Sequence, residues 1–254
     1  MIGEDSDERL AGRLAGLAGE LLMAIRESGL TGSDLGDRGD ADSNRLILER
    51  LAAERPDDAV LSEESPDDGR RTSARRVWIV DPLDGTREYR IPGRTDWAVH
   101  IALWCREAGL VASAVALPAE GKLFTSEDVR LGRRDPEGPR LLVVSDTRPQ
   151  PAAQAAAGAA GFEVVRMGSA GAKTMAVVEG VVDAYIHAGG QWEWDSAAPV
   201  GVARAAGLHA SRIDGSDLVY NQVTPYVADL LVCRVEHAET LLGALAAYRA
   251  GSSE

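Results

Sequence analysis

Three groups of carboxylates stand out, and two of them directly follow apolar runs. LSEES places Glu63 and Glu64 just past the apolar residues 59–61. VWIVDPLDGTREY places Asp81 at the end of a hydrophobic run and Asp84 three residues later. WEWDSAAP places Asp195 where a helix begins. In α/β proteins ligands collect at strand ends. Pro82 fixes a backbone angle and removes an amide donor, and Gly85 permits a sharp turn with close backbone approach. Such a turn points Asp81 and Asp84 into one small volume, where each raises the pKa of the other. A hard cation removes that penalty, and Mg²⁺ takes carboxylate and carbonyl oxygens. If Gly85 and Thr86 open a helix, their free N–H groups can hold a phosphate.

Taken alone, each group has a plainer reading. DPLDG is also the composition of a surface turn. Glu63 and Glu64 fit an exposed charged loop, and Asp195 fits a helix N-cap. The apolar VWIV favours chemistry for the central motif, because acids ending a buried strand need partners. Two look-alikes fail. GSAGAKT (168–174) has Met167 and Ala172 where a P-loop needs glycines, and DADSNR (40–45) has Arg45 and Leu51 where a calcium loop needs Gly and Glu. His100, His187, His209 and His237 are scattered and read as packed or surface side chains.

The elements that must position these acids alternate between helix and strand. Leucines at helical spacing predict a helix over 10–27. Residues 31–39 (TGSDLGDRG) read as a loop, with a second helix starting near 40–44 and ending at 54. Strands are expected at 59–61, 77–80, 97–104, 110–117 and 123–125, and a charged loop at 128–139. The second half reads as strands at 141–145, 163–166, 182–187, 208–212 and 229–235. Its helices are expected at 151–160, 171–180, 196–206 and 238–249. The expected class is α/β, in two halves, 1–138 and 139–254, with the site between them.

Composition bounds the partners. The chain has 254 residues and is 45% hydrophobic, enough for a core. Its net charge of −13 argues against a general nucleic-acid binder and against docking on an anionic membrane. It allows a small anionic substrate if a cation supplies positive charge. Two cysteines, Cys105 and Cys233, give no disulfide framework or zinc spacing, which fits a reducing cytoplasm. The acidic start MIGEDSDERL lacks the features of a secretory signal, and no apolar run is long enough to span a bilayer.

LSEES, DPLDGT and WEWDSAAP, in this order, resemble the three-part signature of the lithium-sensitive, magnesium-dependent phosphomonoesterases. That superfamily includes inositol monophosphatase, fructose-1,6-bisphosphatase and 3′-phosphoadenosine 5′-phosphate (PAP) phosphatase. The resemblance spans nearly the whole chain, including the Tyr220–Asn221 pair. Its bacterial CysQ branch is the most similar part, through Arg87–Glu88–Tyr89 (inositol monophosphatases tend to have Asn before the aromatic), DDAVLSEE, GRTDWAVHIALW and HAGGQWEWDSAAP. The resemblance implies alternating α/β/α/β/α layers. It also implies removal of the 3′-phosphate of PAP beside sulfate assimilation. The rivals are an inositol or sugar phosphate as substrate and, in another class, a non-catalytic phospho-ligand-binding protein.

The same resemblance implies the site roles. Glu63, Asp81 and the Leu83 carbonyl would hold one Mg²⁺, and Asp81, Asp84 and Asp195 a second. Some relatives bind a third ion, again through Glu63. Thr86 and Asp40 would orient and deprotonate the attacking water. The N–H groups of Gly85 and Thr86 would hold phosphate oxygens, and Arg87, Ser145, Arg148, Lys173 and Asp195 would face the nucleotide. Glu64 would neighbour the site without binding the ion. The segment GDRGD before Asp40 departs from the family's usual VT pair with an upstream lysine. Relatives range from monomers to homodimers.

Overall fold

The computed structural model describes residues 5–67 and 69–251. In chain order its elements are α1 (Asp7–Arg26), α2 (Gly32–Glu54), β1 (Ala59–Ser62), β2 (Arg76–Asp84), the single turn α3 (Thr86–Tyr89), β3 (Ala98–Cys105), β4 (Gly109–Leu117) and β5 (Lys122–Thr125). Then come β6 (Leu141–Ser145), α4 (Pro151–Ala160), β7 (Glu163–Met167), α5 (Ala170–Val178), β8 (Ala184–His187) and β9 (Gln191–Trp192). The chain closes with α6 (Glu193–Ala205), β10 (His209–Ser211), β11 (Tyr226–Val227), β12 (Leu230–Cys233) and α7 (Val235–Gly251).

Two five-stranded sheets carry the fold. The first has the order β1-β2-β3-β4-β5, with only β1 and β2 parallel. The second has the order β10-β12-β8-β6-β7, with β6 parallel to both β7 and β8. Three apolar clusters show how they stack. Leu10, Leu14, Leu22, Ile47 and Leu51 of α1 and α2 pack on Trp78, Val80 and Ile101 of the first sheet. The other face of that sheet meets Met175, Val177, Val200 and Val202 of α5 and α6, which also meet Val143, Tyr185 and Val232 of the second sheet. Alanines of α4 and Leu241 and Leu245 of α7 cover the second sheet's outer face. The order is therefore helix, sheet, helix, sheet, helix, with α5 and α6 packed between the two sheets.

The capping follows sequence chemistry. The Ser6 hydroxyl accepts the Arg9 N–H at 3.3 Å, with Asp7 and Glu8 in the first turn of α1 and Arg26 in its last.

Residues 31–39 depart from the expectation of a loop. They form the first turns of α2, which begins at Gly32. The glycines there serve contact. A Cβ on Gly39 would sit 3.0 Å from both Leu83 and Tyr89, and one on Gly36 would collide with the Arg90 guanidinium. Tertiary packing overrides the weak local helix preference of such a segment. The second sequence-derived boundary to move is that of β2, which runs to Asp84 rather than stopping at Val80. Its register with β3 shifts between Asp81 and Asp84, a bulge built around Pro82.

Candidate active site

The bulge in β2 re-aims two acids. Asp81 is buried, and its Oδ1 accepts the Leu83 N–H at 3.1 Å. Asp84 is buried at the strand's end, where Oδ2 accepts the Ser169 hydroxyl at 2.5 Å and the Gly171 N–H at 2.8 Å. Asp195 lies in the first turn of α6 and accepts the Trp192 N–H at 2.6 Å, so it caps the helix as well as facing the cleft. One ligand oxygen from each of Asp81, Asp84 and Asp195 lies within 4.8 Å of the others. Asp84 and Asp195 line a cleft of about 660 Å³ together with Glu63, Gly85, Thr86 and Lys173, and Asp81 lies buried behind them.

Electrostatics sets these acids apart. Burial pushes the Asp81 carboxyl well above the usual range, helped by the charges of Glu63, Asp84 and Asp195. Burial and Asp84 push Asp195 up to about 6. Glu63 is an exposed residue at the cleft rim, outside the tight trio. Desolvation of its carboxyl and the charges of Asp195, Glu64 and Asp84 push it up to about 8. Asp84 alone moves down, to about 2: burial opposes ionisation, but His100, Lys173 and the Ser169 hydroxyl outweigh it. Such crowding of buried acids costs free energy unless a cation joins them. The donor set is all oxygen, including the nearby Leu83 carbonyl, which suits a hard divalent ion. The residues therefore fit the magnesium site that the family resemblance implies.

The turn after Asp84 has the geometry its composition predicts. Gly85 has φ +88°, a conformation that strains any other residue, and a Cβ there would press on Ser169 and Trp97. It caps α3, so the Gly85 and Thr86 amides stand at the start of a helical turn. The Thr86 hydroxyl lies 3.3 Å from Asp40 Oδ1 and 3.2 Å from the Leu83 carbonyl. Burial and Glu64 push Asp40 up to about 7.

The remaining expected residues divide. Ser145 and the exposed Arg148 line the cleft, with the Arg148 N–H donating to Ser145 Oγ at 3.2 Å. Lys173 is buried and donates to the Ser169 carbonyl at 2.6 Å, which excludes a solvated surface role. Burial lowers its pKa against the pull of Asp84. Arg87 is exposed and pairs with Glu88 and Asp146, whereas Glu88 and Tyr89 are buried. The Tyr89 hydroxyl donates to the Leu22 carbonyl at 2.8 Å, so it anchors α3 to α1. Trp192 and Tyr226 are half exposed on the cleft wall, and Trp194 stacks behind Trp192 against the core.

Sequence reasoning missed His100, Ser169 and Glu193. His100 is fully buried opposite Asp81 in the β2–β3 register, with Nε2 3.2 Å from Asp84 Oδ2 and Nδ1 3.1 Å from the Trp194 carbonyl. Ser169 sits inside the rejected P-loop look-alike. Glu193 is buried and accepts the N–H groups of Asn221 and Gln222, which fixes the start of α6. Its place beside Asp195 in WEWD was the available signal.

The inositol monophosphatase family model matches residues 13–250. The chain is 54% identical to a 3′-phosphoadenosine 5′-phosphate phosphatase of Mycobacterium leprae, over 95% of this chain and 94% of the relative. It is also 54% identical to the enzyme of the same name from Mycobacterium bovis, over 90% and 89%. Among solved structures, an inositol monophosphatase from Zymomonas mobilis superimposes with TM-score 0.77 at 22% identity, covering 96% of this chain and 99% of its own. The layered α/β fold, the buried acids at the β2 bulge and a family match over almost the full length agree: this chain is a member of the inositol monophosphatase family.

Proposed function

We propose that this protein is a magnesium-dependent phosphomonoesterase that hydrolyses the 3′-phosphate of PAP, releasing AMP and inorganic phosphate. The observation that carries this reading is the convergence of Asp81, Asp84 and Asp195 beside the Gly85–Thr86 amides. The substrate follows from the 54% identity to phosphatases named for PAP. Inositol monophosphatase relatives in Mycobacterium are more distant, at 29% identity.

Glu63, Asp81 and the Leu83 carbonyl would hold one ion, and Asp81, Asp84 and Asp195 the other. Bound there, the ions supply a Lewis acid for the phosphoryl group and for the oxygens that attack and leave. The chain's own groups do the rest. Asp40, with its pKa near neutrality, accepts a proton through the Thr86 hydroxyl and so turns water into a nucleophile. The Gly85 and Thr86 amides bind phosphate oxygens. The buried ammonium of Lys173 adds positive charge beside the trio. Arg87 and Arg148, with the ring faces of Trp192 and Tyr226, line the mouth where the rest of a nucleotide would lie. Water adds to phosphorus, the P–O3′ bond breaks, and the leaving oxygen takes up a proton from solvent water, so that one water is consumed for each AMP and phosphate released.

Phosphate release from PAP, inositol 1-phosphate, fructose 1,6-bisphosphate and AMP tests this, each with Mg²⁺ and with EDTA. The expected outcome is a kcat/KM for PAP orders of magnitude above the others, abolished by EDTA. Preference for a sugar or inositol phosphate would overturn the substrate while leaving the chemistry. Absence of turnover by the folded protein in Mg²⁺ would favour a phospho-ligand-binding role.

A further inference from the structure

Asp84 is gripped on one oxygen only. Oδ2 accepts the Ser169 hydroxyl and the Gly171 N–H and lies 3.2 Å from His100 Nε2. Among the described residues no group donates to Oδ1. The grip has a conformational cost. Ser169 has φ +50° and ψ 134°, a positive-φ conformation that residues bearing a Cβ rarely adopt and that glycine, without a Cβ, meets at lower cost. Strain of this kind persists where surrounding structure over-determines it.

The surroundings do so here. The Gly168 N–H donates to Asp96 Oδ2 at 2.6 Å, and Asp96 is itself held by both nitrogens of an Arg94 fork. Lys173 Nζ donates to the Ser169 carbonyl at 2.6 Å. A Cβ on Gly168 would run into Glu88, so the turn lies flush against the buried acid of the Arg87–Glu88–Tyr89 motif. The Ser169 hydroxyl also accepts the Ala172 N–H at 2.9 Å, capping α5.

We propose that Ser169 is a positioning residue that selects how Asp84 meets a cation. Its hydroxyl occupies Oδ2, which leaves Oδ1 as the open oxygen and makes Asp84 a one-oxygen ligand. That favours Mg²⁺, which binds compactly through few carboxylate oxygens, over Ca²⁺, which readily takes both oxygens of one carboxylate. The inference rests on Asp84 being a cation ligand.

Calorimetric titration of the metal-stripped protein with Mg²⁺ and with Ca²⁺, alongside urea unfolding, tests it in Ser169→Gly. Glycine removes the Cβ that makes these backbone angles costly, and the urea unfolding reports whether the variant keeps the fold. The expected result combines opposite signs: unfolding resistance unchanged or higher, Mg²⁺ affinity about tenfold weaker, and a narrowed preference for Mg²⁺ over Ca²⁺. Ser169→Ala keeps the strain, and the same loss of Mg²⁺ affinity is expected with lower unfolding resistance. Mg²⁺ affinity within about twofold of the parent in Ser169→Gly would overturn the proposal. So would a parallel fall in stability and in affinity for both ions, which is the signature of a purely structural role. Asp84→Asn separates the layers. If it binds Mg²⁺ as the parent does, the reading of Asp84 as a ligand falls, and this proposal with it. If it does not, while Ser169→Gly does, the proposal alone falls.

Discussion

At the residue scale, the proposed mechanism separates holding charge from moving a proton. Asp84 stays ionised because Ser169, His100 and Lys173 surround it, while Asp40 is left near neutrality by burial and by Glu64. Thr86 links Asp40 to the cleft. Replacing Thr86 with Ala removes that link without touching the carboxylate trio. Steady-state kinetics on Thr86→Ala should therefore show kcat lower by about a hundredfold with KM within about twofold. An unchanged kcat with a large rise in KM would assign Thr86 to binding instead. The three acids were legible in the sequence because apolar context and turn chemistry surround them. Their partners were not. Ser169 and His100 reach Asp84 across 85 and 16 residues of chain, and Glu193 reaches Asn221 across 28. No local spacing encodes a contact of that kind.

At the element scale, the informative departure is the first half of α2. Glycine and aspartate in 31–39 signal a loop, yet the segment is helical because Gly36 and Gly39 let it lie against Leu83, Tyr89 and Arg90. The helix thereby backs the turn that carries the candidate ligands. Gly39→Ala gains about 1 kcal/mol of helix preference but places a Cβ 3.0 Å from Leu83 and Tyr89, and such overpacking typically costs about 1–3 kcal/mol. A lower melting temperature together with weaker Mg²⁺ activation is expected. A more stable protein with unchanged activation would show that α2 does not brace the turn. Most other elements were readable from periodicity, within a few residues at their ends. The two-residue strands β9 and β11 were not, since a run that short has no period.

At the scale of the whole molecule, crowded acids make stability depend on pH and on any cation that joins them. Asp81, Asp195 and Glu63 all have folded pKa values raised above those of an unfolded chain. A raised folded pKa means that the folded state holds the proton more tightly. The resulting stability is full below the unfolded value of about 4 and is lost as pH rises through about 6 to 8. In EDTA the protein should therefore melt at a lower temperature near pH 7.5 than near pH 5, and Mg²⁺ should remove most of that difference. A melting temperature in EDTA that rises over this range would contradict the arrangement. The layered architecture was legible through its alternation of elements and its resemblance to a family. What brings the cleft together is how α5 and α6 pack between the sheets, and that no single segment encodes.

Asp84 is carried by β2, but its clamp is made by residues 169–171, and Asp195 comes later still. On the ribosome, then, the acids of the first half emerge long before the groups that aim them. A nascent or truncated chain ending before Ser169 carries Asp84 without its clamp, and one ending before α6 still lacks Asp195. The carboxylate trio that could hold a cation is thus complete only late in synthesis, after both halves of the chain have emerged.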